Sequence, residues 1–335
     1  MPAFWSALFS AVVLCGALAG GGYAAQPAGG DPAADFPGRP IRIVVPSTPG
    51  GGSDVLARLI GPRLTEAWRQ QVVVDNRPGA AGIIGSEIVA RAGPDGHTLL
   101  IVATGYAVNP FLYARLPYDT VKDFAPVTIL GSTTHVLVAH PSLPANSIKE
   151  LLALAKSRPG QLTYAHSGVG TGGHLSVELF KKMAGLDMVG VPYKGAGAST
   201  TAVLSGEVQM LFTQVAPAIP HVRAGRLRAL ATTSLSRSAE LPAVPTLSES
   251  GLTGYQVDAW AGMLAPGKTP PRIVAKLQTE IARILYTPDV KSRLASFGFE
   301  PGGNTPEQFA AFIRSEMEKW SKLIKDAGIK VDQMY

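Results

Sequence analysis

Cysteine is almost missing from this chain: 335 residues contain one, Cys15, inside an apolar N-terminal stretch. Beyond that stretch there is no thiol for a disulfide, a thiolate metal site or a cysteine nucleophile. Charge is also scarce. Charged residues make up 16% and hydrophobic ones 46%, a balance that excludes a disordered chain and fits a packed globular protein of about two domains. The net charge of +6 mildly favours anionic partners. No Lys/Arg run or RNA-binding signature accompanies it, so nucleic acid is not expected.

Residues 1–25 carry no charge. Phe4 to Ala19 is an apolar core, and Gly20 to Ala25 is small-residue rich, with Gly22 and Ala24 placed for cleavage. This reads as a secretory signal peptide, followed by a Pro/Gly/Ala linker over 26–35. A basic leader is missing, which a start codon placed too far downstream would explain. The competing reading is an uncleaved membrane anchor. Export without disulfides fits a bacterial periplasmic protein.

What the chain does have is strand–glycine loop–helix units. Ile41 to Val45 is a buried-strand pattern; Pro46 to Ser53 holds two prolines and three glycines; Ser53 or Asp54 then stands ready to cap a helix with Leu56, Leu59, Ile60 and Leu64 inward. Backbone N–H groups and a helix dipole would meet there, which suits an anion. Strands over 71–74 and 98–103 and a helix with Ile84, Ile88 and Val89 inward make a βαβαβ alternation, hence a parallel sheet with helices on both faces. Its ligand would sit where Ser47 to Ser53, Asn76 and the loop Thr104 to Asn109 converge. Residues 111–123 read as irregular, and 127–130 and 136–139 as two strands.

A second α/β unit follows. Ser147 caps a helix, and a strand near Leu162 leads into a second glycine loop, His166 to His174. Further strands fall near 188–191, 208–212 and 227–231, and a strand over 257–265 crosses back. Helices from Pro271, Pro288 and Pro306 close the chain, the last with Phe309, Phe312, Ile313, Met317, Trp320, Leu323 and Ile324 on one face. Two α/β lobes, with the chain passing out and back, suggest a clamp that closes on a ligand. The expected division is 36–132 with 255–335 as domain 1, and 133–254 as domain 2.

Literal motif matches carry little. Gly168, Gly170 and Gly173 fit a dinucleotide fingerprint, but the next strand ends at Val191-Pro192-Tyr193-Lys194 without the acid a ribose needs. Gly262 to Thr269 fits a Walker A pattern, but Pro266, Pro270 and Pro271 remove the N–H groups it would use. His174 and Glu178 share a helix face without a third metal ligand, and Ser167 beside His166 lacks the Gly-x-Ser-x-Gly elbow. No catalytic constellation, cofactor or metal site is expected, and a binder is.

Val45-Pro46 through Pro49-Gly50-Gly51 to Asp54, Asn76-Arg77-Pro78-Gly79-Ala80, Asn109-Pro110, Leu116 to Asp119 and Lys122 to Val127 together resemble the Bug (TctC-like) family, the substrate-binding proteins of tripartite tricarboxylate transporters. So do Ser167-Gly168 to Leu175, Val191 to Gly195 and Ala224 to Ala231. The resemblance implies a type II periplasmic-binding-protein fold, α/β, two lobes with a ligand cleft between them. It implies a monomer in the periplasm that closes on a small carboxylate and delivers it to membrane transport components. The alternatives are a sensor that signals to a membrane kinase, and an α/β enzyme acting on a carboxylate. Carried over, the ligand-binding residues are Ser47, Pro49, Gly50, Gly51, Gly52, Ser53, Asp54, Asn76 and Thr104 from one lobe. From the other they are Ser167, Gly168 and Thr171, with His174 in support, Tyr193 nearby, and Thr213. Two departures stand out: relatives often have Asp where Thr213 stands, which disfavours a ligand ammonium here, and an aromatic where Ala261 stands, which leaves a roomier pocket.

Overall fold

In the computed structural model residues 31 and 33–329 are described. The expected signal peptide and most of the linker lie outside the described residues. The chain opens with β1 (Ile41–Val45), α1 (Gly52–Trp68) and β2 (Val72–Asn76). Next come α2 (Ile83–Ala90), β3 (Thr98–Ala103) and α3 (Thr104–Leu112). β1 is apolar because both its faces are covered; it pairs in parallel with β2 and β3. β4 (Phe124–Ala139) follows, then α4 (Ile148–Ser157), β5 (Thr163–His166), α5 (Gly172–Ala184) and β6 (Val189–Pro192). The second unit continues through α6 (Ala196–Leu204), β7 (Met210–Gln214), α7 (Val215–Arg223) and β8 (Arg228–Thr232). After a loop, β9 (Asp258–Pro266), α8 (Pro271–Leu285), α9 (Pro288–Ser296), β10 (Glu300–Pro301) and α10 (Pro306–Ala327) complete the chain.

The strand order β2-β1-β3-β9-β4-β7-β5-β6 forms one continuous path, with β8 and β10 also paired to β4. β4 joins its two halves. Its first part, to Thr134, runs antiparallel to β9; its last part, from His135, runs antiparallel to β7. The chain returns beside it, where Thr233 N–H donates to His135 O, Val257 N–H donates to Thr233 O and the Thr134 and Thr233 hydroxyls meet at 3.0 Å.

β4 is one strand of 16 residues, not the two expected. The polar stretch Ser132 to His135 looked like a break, but its backbone stays paired throughout. Residues 104–109, expected as a loop, begin α3 directly after β3; Gly105 and Pro110 concealed the helix. Ile84 faces solvent and Ile83 takes the inward position. Helix α10 docks as its stripe predicts, burying Phe309, Ile313, Trp320, Leu323 and Ile324. Buried Glu316 accepts from both Trp260 Nε1 and Trp320 Nε1 at 3.0 Å, so neither indole N–H is orphaned.

Candidate functional site

A cavity of about 360 Å³ lies between the two halves, within the usual range for a small-molecule site. Its walls carry no Lys, Arg, Asp or Glu. What they present instead is the start of four helices. Gly52 and Ser53 begin α1, Thr104 and Gly105 begin α3, Gly172 begins α5, and Gln214 is the residue before α7. Helix starts leave N–H groups unpaired and carry roughly half a positive charge each. At α1, α3 and α7 no side chain caps them. The cavity is thus electropositive without a cationic side chain, a setting for an oxyanion.

The first-lobe loop is braced from beneath. Asp54, which the sequence offered as a cap and as a ligand contact, is not the cap, since the residue before α1 is Gly51, and it is not among the residues lining the cavity. The Asp54 carboxylate is buried, and it accepts from Gly50 N–H at 2.9 Å, Arg58 Nε at 3.0 Å and Asn76 Nδ2 at 2.9 Å. Burial alone would raise its pKa; the bonds from Arg58, Gly50 and Asn76 outweigh that and hold it below the usual carboxylate range. Asn76 Nδ2 also donates to Ser47 O at 3.1 Å. These two side chains fold the loop and do not line the cavity. Ser47 does line it, and its Oγ is buried without a partner. Pro49, Gly50 and Gly51 stand outside the lining.

On the second side Val169 to Gly172 line the cavity, while Ser167 and Gly168 lie one step back. Thr171 Oγ1 donates to Gly168 O at 2.8 Å and accepts from His174 N–H, tying the loop to α5. His174 sits behind this loop, its ring 4.7 Å from that of His166, and burial pushes its pKa down to about 4. Tyr193 is turned away, donating to Glu207 at 2.8 Å. Thr213 is buried off the cavity; its neighbour Gln214 faces in.

Residues the sequence reading missed are His135, Gln214, Ala81, Ala103, Ala259, Trp260 and Phe299. Asn109 and Gly105, inside the stretch expected to reach the cleft, do reach it. His135 and Gln214 are directly opposite each other across β4 and β7. Burial drives the His135 pKa to about 4, so the imidazole is neutral at neutral pH. Its Nδ1 is buried without a partner. Ala81 belongs to a run of four positive-φ residues, Gly79 (φ 127°), Ala80 (45°), Ala81 (52°) and Gly82 (88°), pinned where Asn109 Nδ2 donates to Ala81 O. Among the described residues no group of three His, Cys, Asp or Glu could hold a metal ion.

The profile of the tripartite tricarboxylate transporter family receptor matches residues 56–329. Protein BugT of Bordetella pertussis is 36% identical over 298 residues, 88% of this chain and 91% of BugT. Among solved structures, Rpa4515 of R. palustris with adipate is 37% identical, with a TM-score of 0.81 over 89% of this chain and 100% of that one. MatC from Rhodopseudomonas palustris with bound malate is 33% identical, with a TM-score of 0.76 over 86% and 100%. The likeness identifies the fold as two α/β lobes around a ligand cleft, and the cavity lies in that cleft.

Proposed function

Because this chain belongs to the tripartite tricarboxylate transporter receptor family, the TctC or Bug proteins, we propose that it is a periplasmic receptor for a small carboxylate. It holds the ligand between its lobes and delivers it to the membrane components of such a transporter. The single observation that carries the reading is the uncharged cavity ringed by helix starts, with the Ser47 hydroxyl unpartnered beside them. The match to a family of transporter receptors supports reading the ligand as bound and released unchanged. We place the lobes at 36–132 with 255–335 and at 133–254, on the ground that β4 leaves one half and the segment after β8 returns to it.

Each hydrogen bond to a carboxylate contributes about 1.5–3 kcal/mol, so a few of them reach micromolar affinity after ordering costs. A thermal-shift screen tests this. A carboxylate at about 100 times its Kd adds about 2.7 kcal/mol and should raise Tm by roughly 5–10 °C. The matching amides should not. If no carboxylate shifts Tm, the reading falls. Ser47→Ala should weaken binding about tenfold or more by calorimetry while leaving the unliganded Tm nearly unchanged.

A further inference from the structure

The cavity has two kinds of wall. One is polar, made by the helix starts with Ser47, Thr104 and Gln214; the other is apolar. Its floor holds Ala103 of β3 and Ala261 of β9, which are directly opposite each other; Gly131 of β4, opposite Ala261, continues the row outside the lining. Phe299 lies over the end of that row. A Cβ placed on Gly131 would be 3.3 Å from Phe299 Cδ1, and one placed on Gly52 would be 3.1 Å from Phe299 Cζ. The ring therefore reaches from the floor to the first residue of α1. Ala259, two residues before Ala261 and hence on the same side of β9, extends the floor; Val169 closes it from the other lobe. None of these side chains can donate a hydrogen bond. His135, on β4, also lines the cavity, almost fully buried and with its Nδ1 unpartnered.

We propose that the ligand is a carboxylate whose other end is apolar, a flat ring or a short alkyl chain, laid on the Ala103–Ala261–Ala259 floor against the edge of Phe299. This rests on the carboxylate reading above and narrows it. The carboxylate meets the N–H groups of α1 and α3 beside Ser47 and Thr104, which flank the floor at the ends of β1 and β3. The apolar end covers methyl groups and an aromatic ring that a second carboxylate would meet only by giving up its water. An aromatic side chain at position 261 would fill this space; alanine leaves it open.

Adipate and hexanoate separate the two ideas, since they have equal chain length and differ only in the far group. Calorimetry on the full chain should give hexanoate or benzoate an affinity about tenfold above that of adipate. Adipate binding as tightly as both monoacids, or more tightly, overturns the apolar end and leaves the carboxylate reading standing. Failure of all three to bind overturns both. Ala261→Val and, at a half-buried position, Ala259→Leu should lower the monoacid-to-adipate affinity ratio at least fivefold, with Tm checking that each variant folds. An unchanged ratio in both folded variants also overturns the proposal.

Discussion

At Asp54 a charged residue beside an anion site is reconciled with the anion. The carboxylate lies in the first turn of α1, where it would repel a ligand if free, but Arg58, Asn76 and the Gly50 N–H consume it. Asp54→Asn should therefore cost about 1–3 kcal/mol of stability at pH 7 by urea denaturation. The sign of its pH dependence follows from the lowered pKa: the contribution is complete above the ordinary value of 3.8 and disappears as pH falls through the depressed one. Wild type and variant should converge in acid, and a gap that persists unchanged at low pH would show that charge is not involved. The sequence marked Asp54 and Asn76 as important but not as what; residue type cannot say whether a carboxylate faces a ligand or a backbone N–H. Thr213 and Gln214 show the complementary limit. Thr213 was carried over from the resemblance; in β7 successive side chains point to opposite faces, and it is the next residue, Gln214, that lines the cavity.

Helix and strand ends were legible where a side chain announces them. Ser147 accepts from Glu150 N–H, and Thr305 and Gln308 cap α10 reciprocally. They were illegible where neither a capping side chain nor a proline in the first turn marks the start, as at α3. The glycines of the Walker-like match also acquire a reason at this scale. A Cβ on Gly262 would be 2.2 Å from Phe309 Cζ, and one on Gly267 would be 2.1 Å from Lys122 O. Gly262 lies in the middle of β9 against α10 and Gly267 just past its end against the chain before β4, so the pattern is packing. Gly262→Ala should destabilise by about 1–3 kcal/mol in denaturant without a selective loss of ligand affinity. The two buried histidines behind β4 and α5 set a pH window. His135 and His174 are held neutral to about pH 4, while an unfolded imidazole titrates at 6.5. Between those values the unfolded chain takes up protons that the folded one refuses, so stability falls as pH drops from 6.5 to about 4. His174→Gln should make the urea midpoint less steep in pH across that window.

The lobes meet on both sides of the cavity. On one side Gly298 packs on Ala216 and Gly52 lies beside Gln214. On the other Gly170, in the second glycine loop, faces Val108 and Leu112 of α3. Lys182 of α5 and Asp326 of α10 form an exposed ion pair nearby, which salt should screen. The two-lobed layout followed from the order of strand and helix patterns, because alternation fixes a parallel sheet locally. Which surfaces touch across the cleft did not follow, because contacts between residues 58 to 162 positions apart leave no periodic trace. Gly170 is the sharpest of these contacts. Its φ of 78° is costly for any other residue, and a Cβ there would be 2.8 Å from Leu112 Cδ1. That methyl would hold the second loop off α3 and keep the helix starts of the two lobes from reaching one ligand together. Gly170 is buried in the contact between the lobes rather than inside a hydrophobic core cluster, so it contributes little to global stability, whereas affinity depends on both lobes engaging at once. Gly170→Ala should thus weaken carboxylate binding at least tenfold while lowering the unliganded Tm by only a few degrees, about 1–2 kcal/mol. Unchanged affinity would mean that the lobes need not close this far to hold the ligand, and that one lobe supplies most of the binding.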